Sequence, residues 1–383
     1  MQSNVQMKEL IQNQKLLICV GAGGVGKTSL SATIGLQAAL MGRKVLVLTI
    51  DPAKRLANSL GLKQFGNTET QIDLSQIGDV KGELWAMMLD GKKTFNDLID
   101  KLSKDEQTKR SILNNNIYQS ITETIVGNQE YMATEKLYDV VSSGRYDLIV
   151  LDTPPVKNAL DFLDSPGRMA RFVDKRVMKW FLTSKKGEKR IIRRLLAGSS
   201  AVLFKLLGYV FGQDFLEDIA IFFSNFRDLY EGFQERHSAV EALFRDKKTC
   251  FMIVCAPHKP ALEVAEFFLK ELKKRKMRNP GVIVNQRHFA HFKNLNAKAF
   301  LQERCDELSQ DLSAHTASML LARLGVSHKR LHRLALEEDA LVLELSKYLD
   351  KQQRLWSIQR MHGEVHDLHG LVQVGNQLFV NQE

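Results

Sequence analysis

Residues 21–28 read Gly-Ala-Gly-Gly-Val-Gly-Lys-Thr, and no other stretch restricts the fold as much. The spacing G-x-x-x-x-G-K-[ST] works at the junction of a strand and a helix. There, backbone N–H groups and a helix N-terminus converge on phosphate oxygens. The flanks comply. Leu16-Leu17-Ile18-Cys19-Val20 is an apolar run of the buried-strand type. Ser29 to Met41 reads as a helix with Ala32, Leu36, Ala39 and Leu40 on its apolar face. On this pattern Gly21, Ala22, Gly23, Gly24, Val25, Gly26, Lys27, Thr28 and Ser29 form a phosphate cradle. Lys27 reaches toward the β- and γ-phosphates, and the Thr28 hydroxyl ligates magnesium.

Two further apolar runs end in a carboxylate. Lys44 to Ile50 leads into Asp51-Pro52-Ala53-Lys54-Arg55, and Tyr146 to Leu151 leads into Asp152-Thr153-Pro154-Pro155. A carboxylate just past the carboxyl end of a parallel strand lies where such sheets bind ligands. Asp51 is therefore a candidate for positioning or deprotonating an attacking water, and equally a helix N-cap ahead of Pro52. Asp152 fits the Walker B pattern, a strand-end Asp that holds magnesium opposite the Thr of the loop. Two later strands are expected at Phe251–Ala256 and Gly281–Val284, the latter ending at Asn285-Gln286. A helix over Ala261–Lys276, with Val264, Phe267, Phe268 and Leu272 inward, lies between them.

The intervening chain is helical in pattern. Phe95, Leu98, Ile99 and Leu102 recur at helical spacing from Asp90 onward, Tyr118–Val126 and Tyr131–Val141 continue it, and Met132, Leu137 and Val140 read as core. Gly167–Arg194 carries eleven Lys/Arg against Asp174 and Glu188, and so accounts for most of the net charge of +10. Such a stretch reads as a solvated face, or as a surface for an anionic membrane or an acidic partner. No reader motif accompanies it, so no sequence-specific nucleic acid is expected. Leu195–Phe233 is the richest apolar stretch, either core or a groove for an apolar segment. Helices are expected over Leu295–Arg323 and Lys329–Leu349. His288 and His291, and His362, His366 and His369, are spaced as ligands could be. They lack accompanying Cys and read as turn and surface histidines.

With 383 residues and 44% hydrophobic composition, one large α/β domain or two smaller ones can be built. The four cysteines form no disulfide framework, the polar start Met1–Gln14 lacks a signal-type apolar core, and no window is long and apolar enough to span a membrane. A cytoplasmic protein, in places peripheral to a membrane, is expected.

Taken in order, Gly-x-Gly-Gly-Val-Gly-Lys-Thr, Thr49-Ile50-Asp51-Pro52-Ala53 and Asp152-Thr153-Pro154-Pro155 resemble the arsenite-efflux (ArsA-like) ATPase family. That family includes the ATPases that target tail-anchored membrane proteins and is related to the MinD/ParA partitioning ATPases. Gln129–Ala133, Asp161–Asp164 and Val365–Leu368 resemble its bacterial single-unit members. The resemblance implies a doubly wound, mostly parallel α/β sheet of the P-loop NTPase type, one ATPase domain over 1–383 with an inserted helical subdomain from about 90–145 and 160–245. It also implies ATP and Mg2+ as cofactors, and a nucleotide-gated homodimer with switch I at Asp51 and switch II at Asp152. The subdomain would handle a membrane-protein client or transporter. The alternatives are a carrier of apolar helices with slow hydrolysis, or a partitioning-type ATPase anchored through 168–194. Members hold adenine through an Asn after the later strand, here Asn285, which otherwise reads as a turn residue.

Three departures are visible. The chain has one P-loop, and no cysteine between Ser31 and Thr249, which argues against metalloid activation. Cys250 and Cys255 are five apart, not the Cys-x-x-Cys that relatives use for a shared zinc, and read as small core residues. Relatives also carry a lysine at the second loop position, which acts on the partner's phosphates. Here it is Ala22, and Lys54 and Arg55 are the nearest basic residues to replace it.

Overall fold

The computed structural model describes residues 7–51, 55–62, 66–103, 105–115, 129–154, 162–163, 232, 234–289, 313–361, 363, 365 and 367–379. Eight strands form one sheet: β1 (Leu16–Gly21), β2 (Lys44–Thr49), β3 (Thr70–Gln71), β4 (Glu83–Met88), β5 (Leu148–Asp152), β6 (Thr249–Cys255), β7 (Gly281–Arg287) and β8 (Arg354–Gln359). Their order is β3-β4-β2-β5-β1-β6-β7-β8, parallel throughout except that β3 runs antiparallel to β4. Every residue of β1, β5 and β6 is buried. Successive strand side chains point to opposite faces, so both faces of the sheet's centre are covered, as a parallel sheet requires.

The order explains the convergence of the motifs. β5 lies between β1 and β2, and its Asp152 is level with Cys19 on one side and Thr49 on the other. The three carboxyl ends, with their loops, therefore share one edge. Helix Lys27–Leu40 packs on β1, β2 and β5, and helix Leu368–Phe379 packs on that helix in turn. The contact is close: a Cβ on Gly375 would lie 2.1 Å from Gln37 Nε2.

β3, β4 and β8 were not among the expected strands. β4 is only half alternating, and in β8 just Trp356 and Ile358 are buried, so neither shows the continuous apolar run of a central strand. Helix Lys259–Lys274 buries Ala261, Leu262, Ala265, Phe268, Leu269 and Leu272, whereas Phe267, expected inward, is 38% exposed. At 100° per residue it falls off the face that Phe268 and Leu272 define. The two helices expected on either side of residues 324–328 are a single one, Ala314–Ser346. A lone glycine, Gly325, costs only about 1 kcal/mol in a helix and no proline interrupts the turn.

Met132, Leu137, Val140, Phe95, Leu98 and Ile99 are buried, as expected of core positions. The described pieces of the expected helical subdomain include helices Gly91–Leu102, Glu106–Leu113 and Gln129–Ser142 and the helical stretch 234–245. Glu135, 2% exposed, accepts a hydrogen bond from Tyr131 Oη at 2.8 Å and pairs with Arg236, which also reaches Asp139 at 2.6 Å. Lys101 joins the same Asp139 at 2.6 Å, so three helices share one charged cluster. The basic stretch 168–194, the apolar stretch 195–231 and Tyr118–Val126 lie outside the described residues, as do His291, His362, His366 and Cys305.

Candidate functional site

The loop after β1 is shaped by glycine. Gly24 and Gly26 have φ of 76° and 88°, a region that side chains avoid, and Gly26 caps the helix that opens at Lys27. A Cβ on Gly26 would lie 2.3 Å from Asn285 Nδ2, so the loop and the end of β7 are in contact only because that position is glycine. Lys27 is 7% exposed and its Nζ donates to Gly21 O at 3.2 Å and Ala22 O at 2.8 Å, which arches the side chain over the loop.

Beside it, Thr28 Oγ1 donates to Asp152 Oδ2 at 2.7 Å, and Thr49 Oγ1 donates to the same oxygen at 3.0 Å. The Asp51 backbone N–H donates to Thr49 Oγ1 at 3.2 Å. Asp51, Thr49, Asp152 and Thr28 are thus linked in one chain of contacts across three strand ends. Asp152 is fully buried, and burial pushes its carboxyl up to about 6. The Thr28 and Thr49 hydroxyls and nearby Lys27 pull it down, while neighbouring Asp51 pushes it up. Its second oxygen, Oδ1, is buried with no hydrogen-bond partner among the described residues. A buried, unsatisfied carboxylate oxygen next to a threonine hydroxyl is a hard oxygen pair of the kind magnesium takes. The residues present therefore fit the metal.

This carries a pH dependence. The Asp152 carboxyl binds its proton more tightly in the folded chain, at about 6, than in the unfolded one, near 3.8. Stability from this group is therefore full at low pH and falls as pH rises through that window, by roughly 3 kcal/mol. A cation on the carboxylate offsets the loss. The rise in Tm that Mg2+ adds to bound ADP is expected to be larger at about pH 7.5 than at about pH 5, and Asp152→Asn should flatten that difference. An equal Mg2+ effect at both pH values would remove Asp152 from the metal site.

Asn285 lies two residues inside the carboxyl end of β7, against the loop: its Nδ2 donates to Val25 O at 2.9 Å. Gln286 follows with φ of 60°. The cleft, of about 770 Å³, is lined by Gly23, Gly24, Gly26, Lys27, Thr28, Ser29, Asp51, Thr153 and Asn285, so the structure brings the residues predicted after β1, β2 and β7 into one cavity. Asp152 lies beneath it. Lys54 is outside the described residues, and so is the side chain of Arg55, whose backbone opens helix Arg55–Ser59.

One wall escaped the sequence reading. Gln359, Arg360, Met361, Gly363 and Val365, with Val374, Asn58 and Ser59, also line the cleft. The Ser59 hydroxyl donates to Val365 O at 3.4 Å, which joins the segment after β8 to the one after β2. The available signal was the Trp356/Ile358 alternation: a parallel strand there must deliver its carboxyl end to the same edge. Cys19, Cys250 and Cys255 are buried in the sheet, and burial pushes each thiol up to about 12, so none is a thiolate at neutral pH. His288 is engaged instead by Glu338, with Nδ1 2.8 Å from Oε1.

The chain matches the family model described as anion-transporting ATPase over residues 14–313. It is similar to "ATPase get3" of Aspergillus terreus, 26% identical over 332 residues, covering 83% of this chain and 90% of that protein. It is similar also to "ATPase ASNA1 homolog 1" of Paramecium tetraurelia, 26% identical over 311 residues, covering 79% and 86%. "ATPase GET3" of Podospora anserina is 27% identical over 271 residues, covering 70% and 71%.

Proposed function

Since the chain belongs to the anion-transporting ATPase family and is an ATP hydrolase, we propose that it is a Mg-ATP-driven dimeric switch whose hydrolysis moves a helical subdomain acting on a membrane-related client. The observation that carries this reading is the Thr28–Asp152 bond of 2.7 Å in the same cleft as Lys27 and Asp51. The loop amides and Lys27 bind the phosphates. Thr28 and Asp152 hold magnesium, which when bound neutralises charge on the β- and γ-phosphates. Asp51 orients water for in-line attack, Asn285 faces the base, and Lys54 or Arg55 supplies the cation that Ala22 does not.

A route from Asp51 to the subdomain supports the coupling. The segment after Asp51 ends at Gly66 and Asn67. Gly66 O accepts from Met88 N at 2.8 Å, and Asn67 Oδ1 accepts from Asp90 N at 3.2 Å and from Thr94 Oγ1 at 3.4 Å. Asp90 is the N-cap of helix Gly91–Leu102, so the contacts of Asn67 meet that helix at its first turn. Differential contacts of this kind are what a nucleotide-driven shift needs. We propose a cytoplasmic site of action with contact at a membrane. Ala22 favours, as a second reading, a carrier of apolar helices in which slow hydrolysis times release. Amide hydrogen exchange on helices 91–102 and 129–142 is expected to differ between ADP and a non-hydrolysable ATP analogue, both with Mg2+. Identical exchange in the two states would sink the coupled-switch reading and leave the ATPase itself standing.

A further inference from the structure

Side chains hold four carbonyls of the loop after β1. Lys27 Nζ takes those of Gly21 and Ala22 at 3.2 and 2.8 Å. The other two are taken by consecutive carboxamides of β7. Asn285 Nδ2 donates to Val25 O at 2.9 Å, and Gln286 Nε2 donates to Gly24 O at 3.5 Å. Successive residues of a regular strand point to opposite faces, so two neighbours do not ordinarily reach one loop. β7 departs from regularity at this point. Val284 pairs with Ser357 and Arg287 with Gln359, which leaves Asn285 and Gln286 opposite the single residue Ile358, a bulge. Within it Gln286 takes a φ of 60°, the left-handed region, although it is not glycine. That conformation is unfavourable for a residue with a Cβ, and such outliers gather at functional sites. Here it brings both carboxamides onto the same loop.

The grip decides where the loop's own donors point. In a trans peptide the C=O and the N–H point opposite ways. Gly24 O shares a peptide group with the Val25 N–H, and Val25 O shares the next with the Gly26 N–H. Turning the two carbonyls toward β7 therefore turns the two N–H groups away from it. Among the described residues neither N–H donates to another protein group. Both lie at the start of helix Lys27–Leu40, beside a cleft that Gly24, Gly26, Lys27 and Gln286 line. Backbone donors in such a place, with no protein acceptor, are kept for an anion.

We infer that Gln286 is a positioning residue for phosphate binding. Its hold on Gly24 O, beside that of Asn285 on Val25 O, aims the Val25 and Gly26 N–H groups at the phosphates. The inference rests on the reading of residues 21–29 as the phosphate cradle, and adds to that cradle a residue 262 positions away in the chain.

The test compares Gln286→Gly and Gln286→Met with the parent. Glycine takes positive φ without strain, so Gln286→Gly keeps the backbone path and removes only the carboxamide. Gln286→Met keeps the length and the strain but has no donor. Both should raise the KM for Mg-ATP about three- to tenfold, the size of one modest hydrogen bond, with kcat within about twofold of the parent. The Tm of Gln286→Gly should stay within about 3 °C of the parent's. Magnesium tripolyphosphate, which has the phosphates and no base, should lose potency as an inhibitor by the same factor as ATP loses affinity. A loss confined to ATP makes Gln286 a base or ribose contact and overturns the inference. A parent-like KM in Gln286→Met overturns it too, because the glycine effect would then come from backbone freedom. So does a fall in kcat at unchanged KM, or a parent that tripolyphosphate does not inhibit. Lys27→Ala separates this inference from its premise. If Lys27→Ala loses Mg-ATP and the Gln286 variants do not, the cradle stands and the inference fails. If none of the three variants loses it, the cradle reading fails as well.

Discussion

Lys27→Ala is expected to weaken Mg-ATP binding by at least about a hundredfold and to take turnover with it. Lys27 is 7% exposed, and its ammonium is aimed over the loop by the carbonyls of Gly21 and Ala22. A charge held in so dry a place interacts with phosphate far more strongly than one in water. Truncating one side of a buried charge contact costs about 2–5 kcal/mol, and each 1.4 kcal/mol is a factor of ten in affinity. Titration calorimetry with ATP and Mg2+ reads the effect directly. The change is confined to the loop, so a near-native thermal transition should accompany the binding defect. An affinity within about threefold of the parent would mean that the loop, although correctly shaped, does not hold the phosphates through Lys27.

Asp51→Asn should separate binding from chemistry. The expected outcome is ATP affinity close to that of the parent, with single-turnover hydrolysis slower by about 10²–10⁴-fold, the range for losing a positioned acid–base group. Asp51 lines the cleft together with Lys27 and Thr28, and its backbone is tied through Thr49 to Asp152. The asparagine keeps that backbone contact and the side-chain shape while removing the carboxylate. Removal also takes away a negative neighbour that pushes Asp152 up, so the metal ligand should titrate lower in the variant. Hydrolysis at the parental rate would return Asp51 to the role of helix cap, the other reading of Asp51-Pro52. If Asp51→Asn is instead hydrolysis-dead, the proteins trapped on it identify the client.

The phosphate loop was legible because its requirements are local. Gly24 and Gly26 take positive φ, Lys27 and Thr28 open the helix, and all of this is contained in a few consecutive residues. Asp51 and Asp152 were legible because an apolar run ending in Asp announces both the strand and its carboxyl edge. Burial of Cys250 and Cys255 followed from their place in the apolar run of β6. Asn285 was expected just past a strand ending at Val284, whereas β7 runs on to Arg287, and its bond to Val25 O, 260 residues away in the chain, was not visible.

The residues that escaped share one property: their partners are remote in sequence. Arg360 and Met361 reach the cleft only because β8 pairs in parallel with β7, and β8 itself is a weakly alternating edge strand. Arg236 meets Glu135 across about a hundred residues, with no local pattern to pair them. The helix 314–346 crosses Gly325 unbroken because anchoring at Glu338 and Asp339 outweighs a small propensity cost. By itself, then, the sequence determined the strand–loop–helix cradle, the two strand-end carboxylates and the mostly parallel α/β class, since periodicity and backbone sterics act between near neighbours. Only the tertiary structure decided which strands lie side by side, and that the segment after β8 joins the lining of the cleft. Those outcomes depend on burial and hydrogen bonding summed over distant segments, which no window of adjacent residues contains.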